Sequence, residues 1–356
     1  MVGSLDLAAS QSPQASFVYA VCQVGAEAPL KAEVARLHPK WRFAFSRPGL
    51  LTWKTPKPVA VDLELGAVLA RCAGLSLGRA TSPAELARLI EEPLGGSAYA
   101  LHVFERDRHK PGDEPPGDEY GPLADAVSQT LLNSALRPPP RERALQPGDL
   151  VVDVVVAPEE PWLVGLHRHD ARRAAVPGGR PTLVLPNEAP SRAWLKLEEG
   201  LLFSGLPLKK GEVALEIGSA PGGASYALLQ RGLVVVGVDP SDMEPPVAGH
   251  AGFSHLQVKL GDLRREQLPK RVDWLFVDVN LAPAVALHQL RRIVSTLRST
   301  LKGGLITLKL NSWSMAADIP AFLKRLEGMG FSDVRATQLA HNRQEICVAV
   351  RMKRPR

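Results

Sequence analysis

Over its C-terminal half the chain alternates short β-branched runs with helical stretches, and that rhythm leaves few folds open to it. Residues 213–217, 233–238, 256–260, 274–277 and 305–310 read as strands. Residues 223–230, 283–301 and 319–329 read as helices between some of them; in the last, Ile319, Phe322, Leu323 and Leu326 share one face. A crossover of helical length returns the chain to the same end of a sheet, so such strands pair in parallel. The spacing predicts an α/β domain with a doubly wound, mostly parallel sheet. Residues 334–339 and 345–352 have only a short connection and are expected to add a C-terminal antiparallel hairpin, for seven strands in all.

The N-terminal half follows no such rhythm. A strand is expected over 17–24, a helix over 30–37 and a strand over 50–53. Ser82-Pro83-Ala84-Glu85 has the form of a capping box with proline at the first helical position, so a helix should start there. A strand over 99–104 precedes 111–122, which is crowded with Pro, Gly, Asp and Glu and reads as an exposed loop. A helix over 124–136 should end at Pro138-Pro139-Pro140. Residues 149–156 and 162–167, on either side of Pro158-Glu159-Glu160-Pro161, read as a hairpin. This half is expected to be small α+β material preceded by a disordered start, 1–16, and separated from the second half by a Pro/Gly-rich linker, 177–190.

The clearest local signal is Leu215-Glu216-Ile217-Gly218-Ser219-Ala220-Pro221-Gly222-Gly223, which follows a strand and opens a helix. Glycine at such a turn lets backbone approach a ligand where a Cβ would clash, and the helix start offers free N–H groups. Asp239, Asp262 and Asp278 are expected at the ends of the next three strands, on the sheet edge where such folds bind ligands. Singly, each could be a helix cap or a solvated loop acid. As a set they suit an adenosyl group, Asp239 taking the ribose hydroxyls and Asp262 the adenine edge. A nicotinamide dinucleotide would want Gly-x-Gly-x-x-Gly over its pyrophosphate. Here the glycines fall at 218, 222 and 223 with Pro221 between them. S-adenosylmethionine carries no phosphate, so the methyl donor is favoured.

At this point the residues resemble a family. Ser191-Arg192-Ala193-Trp194-Leu195-Lys196-Leu197, the Gly-Ser-Ala-Pro-Gly-Gly loop, Leu308-Lys309-Leu310 and His341-Asn342-Arg343-Gln344-Glu345 are similar to segments of the FtsJ-like 2′-O-ribose methyltransferases of ribosomal RNA, and among them of the bacterial RlmM type. The resemblance implies a Rossmann-like class I methyltransferase domain over 191–356. It implies a small α+β domain over 17–80 and a THUMP-like RNA-binding domain over 81–176. It implies methylation of one cytidine of large-subunit (23S) rRNA. The family's Lys-Asp-Lys-Glu tetrad falls on Lys196, Asp278, Lys309 and Glu345, with Lys309 as the base. Ser191, Gly218, Ser219, Ala220, Pro221, Gly222, Gly223, Asp239, Asp262 and Asp278 would contact S-adenosylmethionine. Two departures stand out: Ser219 lies where these enzymes often have Cys, and Val277-Asp278-Val279-Asn280 differs from the usual Asp-Met pairing.

The chemistry is coherent with those residues. A sulfonium methyl is a good electrophile without a metal, whereas a ribose hydroxyl is a poor nucleophile that needs in-line placement and a base. A lysine serves as base if burial or a second cation lowers its pKa, and Lys196 beside Lys309 is expected to be that cation. Excess carboxylate would raise the pKa again. Each residue also has a plainer reading: Lys309 emerging at a strand's solvent end, Lys196 on a helix surface, Glu345 as an edge-strand charge.

A formal charge of +6 points to an anionic partner, nucleic acid first, either RNA alone or a precursor particle. Lys209, Lys210, Arg264, Arg265, Arg291, Arg292 and the tail 351–356 are candidate phosphate contacts. Cys22, Cys72 and Cys347 lack metal-ligand spacing and cannot form a disulfide framework, which suits the cytoplasm. His167, His169 and His341 show no metal-site spacing, and no metal is expected. The first 16 residues lack the basic region of a secretory signal, and no apolar run approaches the roughly 18 residues of a membrane span, so a soluble chain without a membrane partner is expected, its oligomeric state open and a monomer admissible. The rival readings are methylation of another RNA or a small molecule, a catalytically inactive RNA-binding assembly factor, and a nicotinamide oxidoreductase.

Overall fold

The computed structural model describes residues 12–113, 121–134, 136, 144–170 and 175–353. They fall into two units, one of residues up to Gly66 with Cys72–Gly179, the other of Ala67–Arg71 with Arg180–Arg356. The boundary after Gly179 lies inside the Pro/Gly-rich stretch that the sequence marks.

The first unit is built from β1 (Gln14–Val21), α1 (Glu27–Leu37), β2 (Arg42–Arg47), β3 (Leu50–Ala60), β4 (Cys72–Ala80), α2 (Pro83–Leu94), β5 (Tyr99–Glu105), α3 (Pro122–Leu132), β6 (Leu150–Val156) and β7 (Trp162–Arg168). All seven strands form one sheet in the order β2-β3-β1-β4-β7-β6-β5, joined across the middle by antiparallel β4 and β7. The stretches 17–80 and 81–176 thus share one sheet. The start of α2 is as the sequence signals: Ser82 Oγ accepts from the Glu85 N–H at 3.3 Å, and Glu85 reaches back to the Thr81 N–H at 2.7 Å. Leu86, Ile90 and Leu94 of α2 and Ala124, Val127 and Leu131 of α3 pack on Val152, Val154 and Val156 of β6.

Several expected boundaries shift. The first strand starts at Gln14, inside the stretch expected to be disordered, because Gln14 and Ala15 pair with Ala60 and Val59 beyond a bulge. Of that stretch, 1–11 lie outside the described residues, as do most of the loop expected at 111–122, the three prolines at 138–140 and the end of the basic tail. Strands β2 and β4 carry no alternation that the sequence reading caught.

The second unit is built from α4 (Ala193–Ser204), β8 (Val213–Ile217), α5 (Gly223–Gln230), β9 (Val234–Val238), α6 (Pro245–Ala248), β10 (Phe253–Leu256), β11 (Trp274–Val277), α7 (Pro283–Leu297), β12 (Gly303–Lys309), α8 (Ile319–Gly328), β13 (Phe331–Thr337) and β14 (Glu345–Met352). Its seven-stranded sheet runs β10-β9-β8-β11-β12-β14-β13, with β10 through β12 parallel and β14 antiparallel to both neighbours. This is the doubly wound sheet with a terminal hairpin that the alternation predicts. All four residues of β11 are buried, as a strand covered on both faces requires. One strand is displaced from its expected place: β10 occupies 253–256, not 256–260, so Asp262 sits in a turn rather than at a strand end.

Candidate functional site

Strand order reverses beside β8: the chain proceeds outward through β9 and β10, then returns to β11 on the other flank and continues to β12. At that reversal the loops leaving β8 and β11 diverge to opposite sides and open a crevice at the strands' C-terminal ends. The turn after β8 presses against the end of β11. Gly218 has φ +85°, and a Cβ there would run into the carbonyl oxygen of Asp278. Only glycine meets both demands. A Cβ at Gly223, the first residue of α5, would strike Ser191, so the segment before α4 lies directly on the start of α5.

The residues expected at the cofactor are therefore partly gathered here. Gly218, Ala220 and Pro221 are half-buried along the turn, with Gly222 and Gly223 buried at the helix start. Ser219 is buried, and its hydroxyl donates to Met243 Sδ at 3.5 Å, so the side chain is turned inward. Asp239 follows β9 directly and is half-buried; its Oδ1 accepts from the Ser241 N–H at 2.9 Å, leaving Oδ2 for another partner. Asp262 is exposed in its turn.

On the other flank of the crevice four charged side chains converge. Asp278 follows β11, Lys309 ends β12 and Glu345 opens β14. The antiparallel register sets Lys309 opposite Glu345. Lys196 comes from α4. Its Nζ lies 2.5 Å from Glu345 Oε1 and 3.3 Å from Asp278 Oδ2. Lys309 Nζ lies 2.6 Å from Glu345 Oε2 and 2.7 Å from Asp278 Oδ1. Each carboxylate thus bridges both ammonium groups, and the four positions the sequence singled out meet in space.

The electrostatics follow from that bridging. Burial disfavours the charge on Lys309, but the Asp278 and Glu345 carboxylates outweigh it and raise the amine's pKa above its ordinary value. Burial likewise opposes the charge on Glu345, yet Lys196 and Lys309 hold its carboxyl down at about 2. The expectation that Lys196 would lower the Lys309 pKa is thereby corrected for the resting site: Lys196 spends its charge on the same two carboxylates, and Lys309 is held as an ammonium. Behind the turn, Glu216 of β8 is pushed up to about 8 by burial, with the charges of Asp278 and Asp239 adding and a hydrogen bond from the Ser225 hydroxyl opposing. A cleft open to solvent is lined by Lys196, Glu216, Asp278, Thr307, Asn342 and Cys347, among others.

Sequence reading missed the residues that hold the cluster in place. Glu199, one turn after Lys196 on α4, is 4% exposed. Its carboxylate accepts from the Ala340 N–H at 2.7 Å, the His341 N–H at 2.9 Å and pairs with His341 Nδ1 at 2.7 Å. Asn342 Oδ1 accepts from the Leu339 N–H at 2.9 Å while its Nδ2 donates to Glu345 Oε1 at 3.2 Å. The loop entering β14 is thus tied to the helix that carries Lys196. The i, i+3 spacing of Lys196 and Glu199 was the available signal.

Other candidates lie elsewhere. Lys209, Lys210, Arg264, Arg265, Arg291 and Arg292 are exposed. Lys209 and Lys210 precede β8, at the end of the sheet opposite the crevice. Arg351 is corrected to a structural role: it donates to the Ser204 and Gly205 carbonyls at 3.1 and 3.0 Å and so closes the C-terminus of α4. His167 and His169 are buried; His167 Nδ1 meets Asp153 Oδ2 at 2.5 Å, and the Tyr19 hydroxyl donates to the same oxygen at 2.7 Å. Among the described residues no group of three or more His, Cys, Asp or Glu could hold a metal ion, and no helix is long and apolar enough to cross a membrane.

Comparison with known proteins finds similarity to one methyltransferase family. Residues 189–343 match the model of the FtsJ-like methyltransferases. Three curated relatives are each named ribosomal RNA large subunit methyltransferase M. The protein of Halorhodospira halophila is 32% identical over 238 residues, 65% of this chain and 63% of the relative. That of Alkalilimnicola ehrlichii is 36% identical over 186 residues, 48% of each chain. That of Xylella fastidiosa is 32% identical over 183 residues, 48% of this chain and 49% of the relative. The chain thus spans between about half and 63% of the length of these relatives. Glu345 lies just beyond the matched segment, whereas the glycine turn, Asp278 and both lysines lie within it, so the FtsJ-like methyltransferase model covers the crevice and three of the four converging charges.

Proposed function

We propose that this protein is an S-adenosylmethionine-dependent RNA methyltransferase that modifies a ribose 2′-hydroxyl, with a cytidine of 23S rRNA as its target. The observation that carries the reading is the cluster of Lys196, Asp278, Lys309 and Glu345 beside the glycine turn at the switch point of the sheet. The strand order supports a Rossmann-like class I methyltransferase domain. The relatives' names supply the RNA class. Residues 81–176 are read as a THUMP-like RNA-binding domain, with parallel β5 and β6 and antiparallel β6 and β7 beneath α2 and α3. Cysteines that form no disulfide accord with a cytoplasmic setting.

The residues present fit the cofactor. The close approach at Gly218 leaves backbone rather than side chain facing the crevice, and Asp239 offers a half-buried carboxylate oxygen at the right strand end for two ribose hydroxyls. Ser191, the turn 218–223, Asp239 and Asp278 would hold it, with Asp262 at the rim. Bound there, S-adenosylmethionine supplies an electrophilic methyl group. Lys309 takes the proton from the ribose hydroxyl once its amine is neutral. Lys196, Asp278 and Glu345 fix the amine's position, and Glu345 and Asp278 stabilise the ammonium that results.

The test is transfer of tritiated methyl to unmodified large-subunit rRNA, followed by alkaline digestion. A label that survives as an alkali-resistant dinucleotide marks 2′-O-methylation. Label on a base, or none on RNA while the cofactor still binds, removes this reading.

A further inference from the structure

We propose that the exposed rim of the β2-β3-β1 edge of the first sheet binds single-stranded RNA, an inference that rests on RNA as the substrate class. Register decides which side chains share that face. Lys54 of β3 lies opposite Phe17 of β1 and Arg42 of β2, while Thr52 lies opposite Phe45 and Leu50 opposite Arg47. Lys54, Thr52 and Leu50 alternate along β3, so Phe17, Arg42, Phe45, Arg47 and Lys54 project from one side; there Tyr19, Val21, Leu50 and Thr52 are buried, and Phe17, Arg42, Arg47 and Lys54 stand exposed around them. Arg79 of β4 joins them, its guanidinium 4.3 Å from the centre of the Phe45 ring, with that of Arg47 4.6 Å from the same ring. The Lys54 ammonium sits 5.9 Å from the Phe17 ring.

The composition of this face selects the partner. Arg42, Arg47, Lys54 and Arg79 are exposed. The carboxylate paired with this set is Glu160, 3.9 Å from Arg47 and held at 2.7 Å by the buried Arg106. Four exposed cations against that one acid call for a polyanion. The aromatic rings add a second demand. Phe17 is 40% exposed, and the Arg–Phe–Arg stack around Phe45 presents guanidinium planes on which a base can lie. A duplex hides its base faces, and an acidic peptide has none. A single strand supplies phosphates and unstacked bases together. The cations and rings of this face all belong to residues 17–80, outside the THUMP-like assignment.

The experiment measures anisotropy of a fluorescein-labelled oligouridylate of about 12 nucleotides with the full chain, its Phe17→Ala and Arg42→Ala/Lys54→Ala variants, and Lys309→Ala. Methyl transfer to rRNA is measured in parallel. The expected result is about tenfold weaker binding for Phe17→Ala. The double variant should flatten the dependence of log K on log salt by about 1.4, two single-strand phosphate contacts' worth. Lys309→Ala should bind as the parent does. If both surface variants bind like the parent while rRNA is still methylated, the face is not an RNA site and the enzymatic reading stands. If oligoglutamate binding, and not oligouridylate binding, is lost in the variants, the partner is an acidic protein segment and the proposal falls. If the parent neither binds the oligonucleotide nor methylates RNA, both readings fall.

Discussion

Lys309 and Glu345 stand opposite one another in the antiparallel register of β12 and β14, and their side chains close to 2.6 Å. Backbone pairing therefore sets the Lys309 amine against the carboxylate that holds it. The other charges on this pair, Asp278 and Lys196, arrive from β11's end and from α4.

Removing the amine tests the role of Lys309. Lys309→Ala should lower methyl transfer by at least about 10²-fold, the usual contribution of a general base. Calorimetry should find S-adenosylmethionine affinity within a few-fold of the parent's, since the cofactor-facing turn is untouched. Retained turnover would take the base role from Lys309.

The pH dependence carries a definite sign. Because the carboxylates raise the Lys309 pKa, its neutral form becomes available only as pH rises, and kcat should climb on the alkaline side. Glu345→Gln removes one of those charges, so the limb should move to lower pH even if the maximal rate falls. A limb that stays put would show that another group titrates. Glu345 itself has a depressed folded pKa, about 2, so the stability it adds is present above its ordinary value of about 4.3 and drains as pH falls toward the folded value. Thermal melts across that window should show a steeper loss for the parent than for Glu345→Gln.

Cofactor binding should depend on the carboxylate at the end of β9. Asp239→Ala is expected to weaken S-adenosylmethionine by about 1.5–3 kcal/mol, the range for hydrogen bonds to a charged group. Unchanged affinity by calorimetry would refute the ribose assignment.

The clamp formed by Glu199 should act through Glu345. Glu199→Ala strips the acceptor from the Ala340 and His341 N–H groups and should cost about 1–3 kcal/mol of stability. It should lower kcat with little change in cofactor affinity, and Glu199→Gln should recover part of the loss. Equal falls in kcat and cofactor affinity would mark a general unfolding of the site instead.

How far the sequence could be read follows from which forces leave a local trace. Strand β11 is buried on both faces, so Trp274 to Val277 shows as an unbroken apolar run, and β12 shows as Leu305, Ile306 and Leu308 around a single Thr307. Strand β10, with a half-exposed Phe253–Leu256, borders the sheet and leaves a weaker signal; the apolar residues after it drew the expected strand too far along. Strand β2 is an exposed edge in which Arg42, Phe43, Phe45 and Arg47 face water, and β4 is diluted by Gly74 and Gly78. The lysines and acids of the site were legible as a set because motif context lent each one meaning. Their charge state was not, since it depends on the bridging of both carboxylates by both amines. For Glu199 the i, i+3 spacing to Lys196 marked only a shared helix face; its role comes from the Ala340 and His341 N–H groups it meets, and those lie in a distant loop.

The most direct measurement is tritiated methyl transfer from S-adenosylmethionine to unmodified large-subunit rRNA, with Lys309→Ala alongside. The expected result is label in an alkali-resistant dinucleotide with the parent protein and none with the variant. Label on a base, or equal label with both proteins, would contradict a ribose 2′-O-methyltransferase that uses Lys309 as its base.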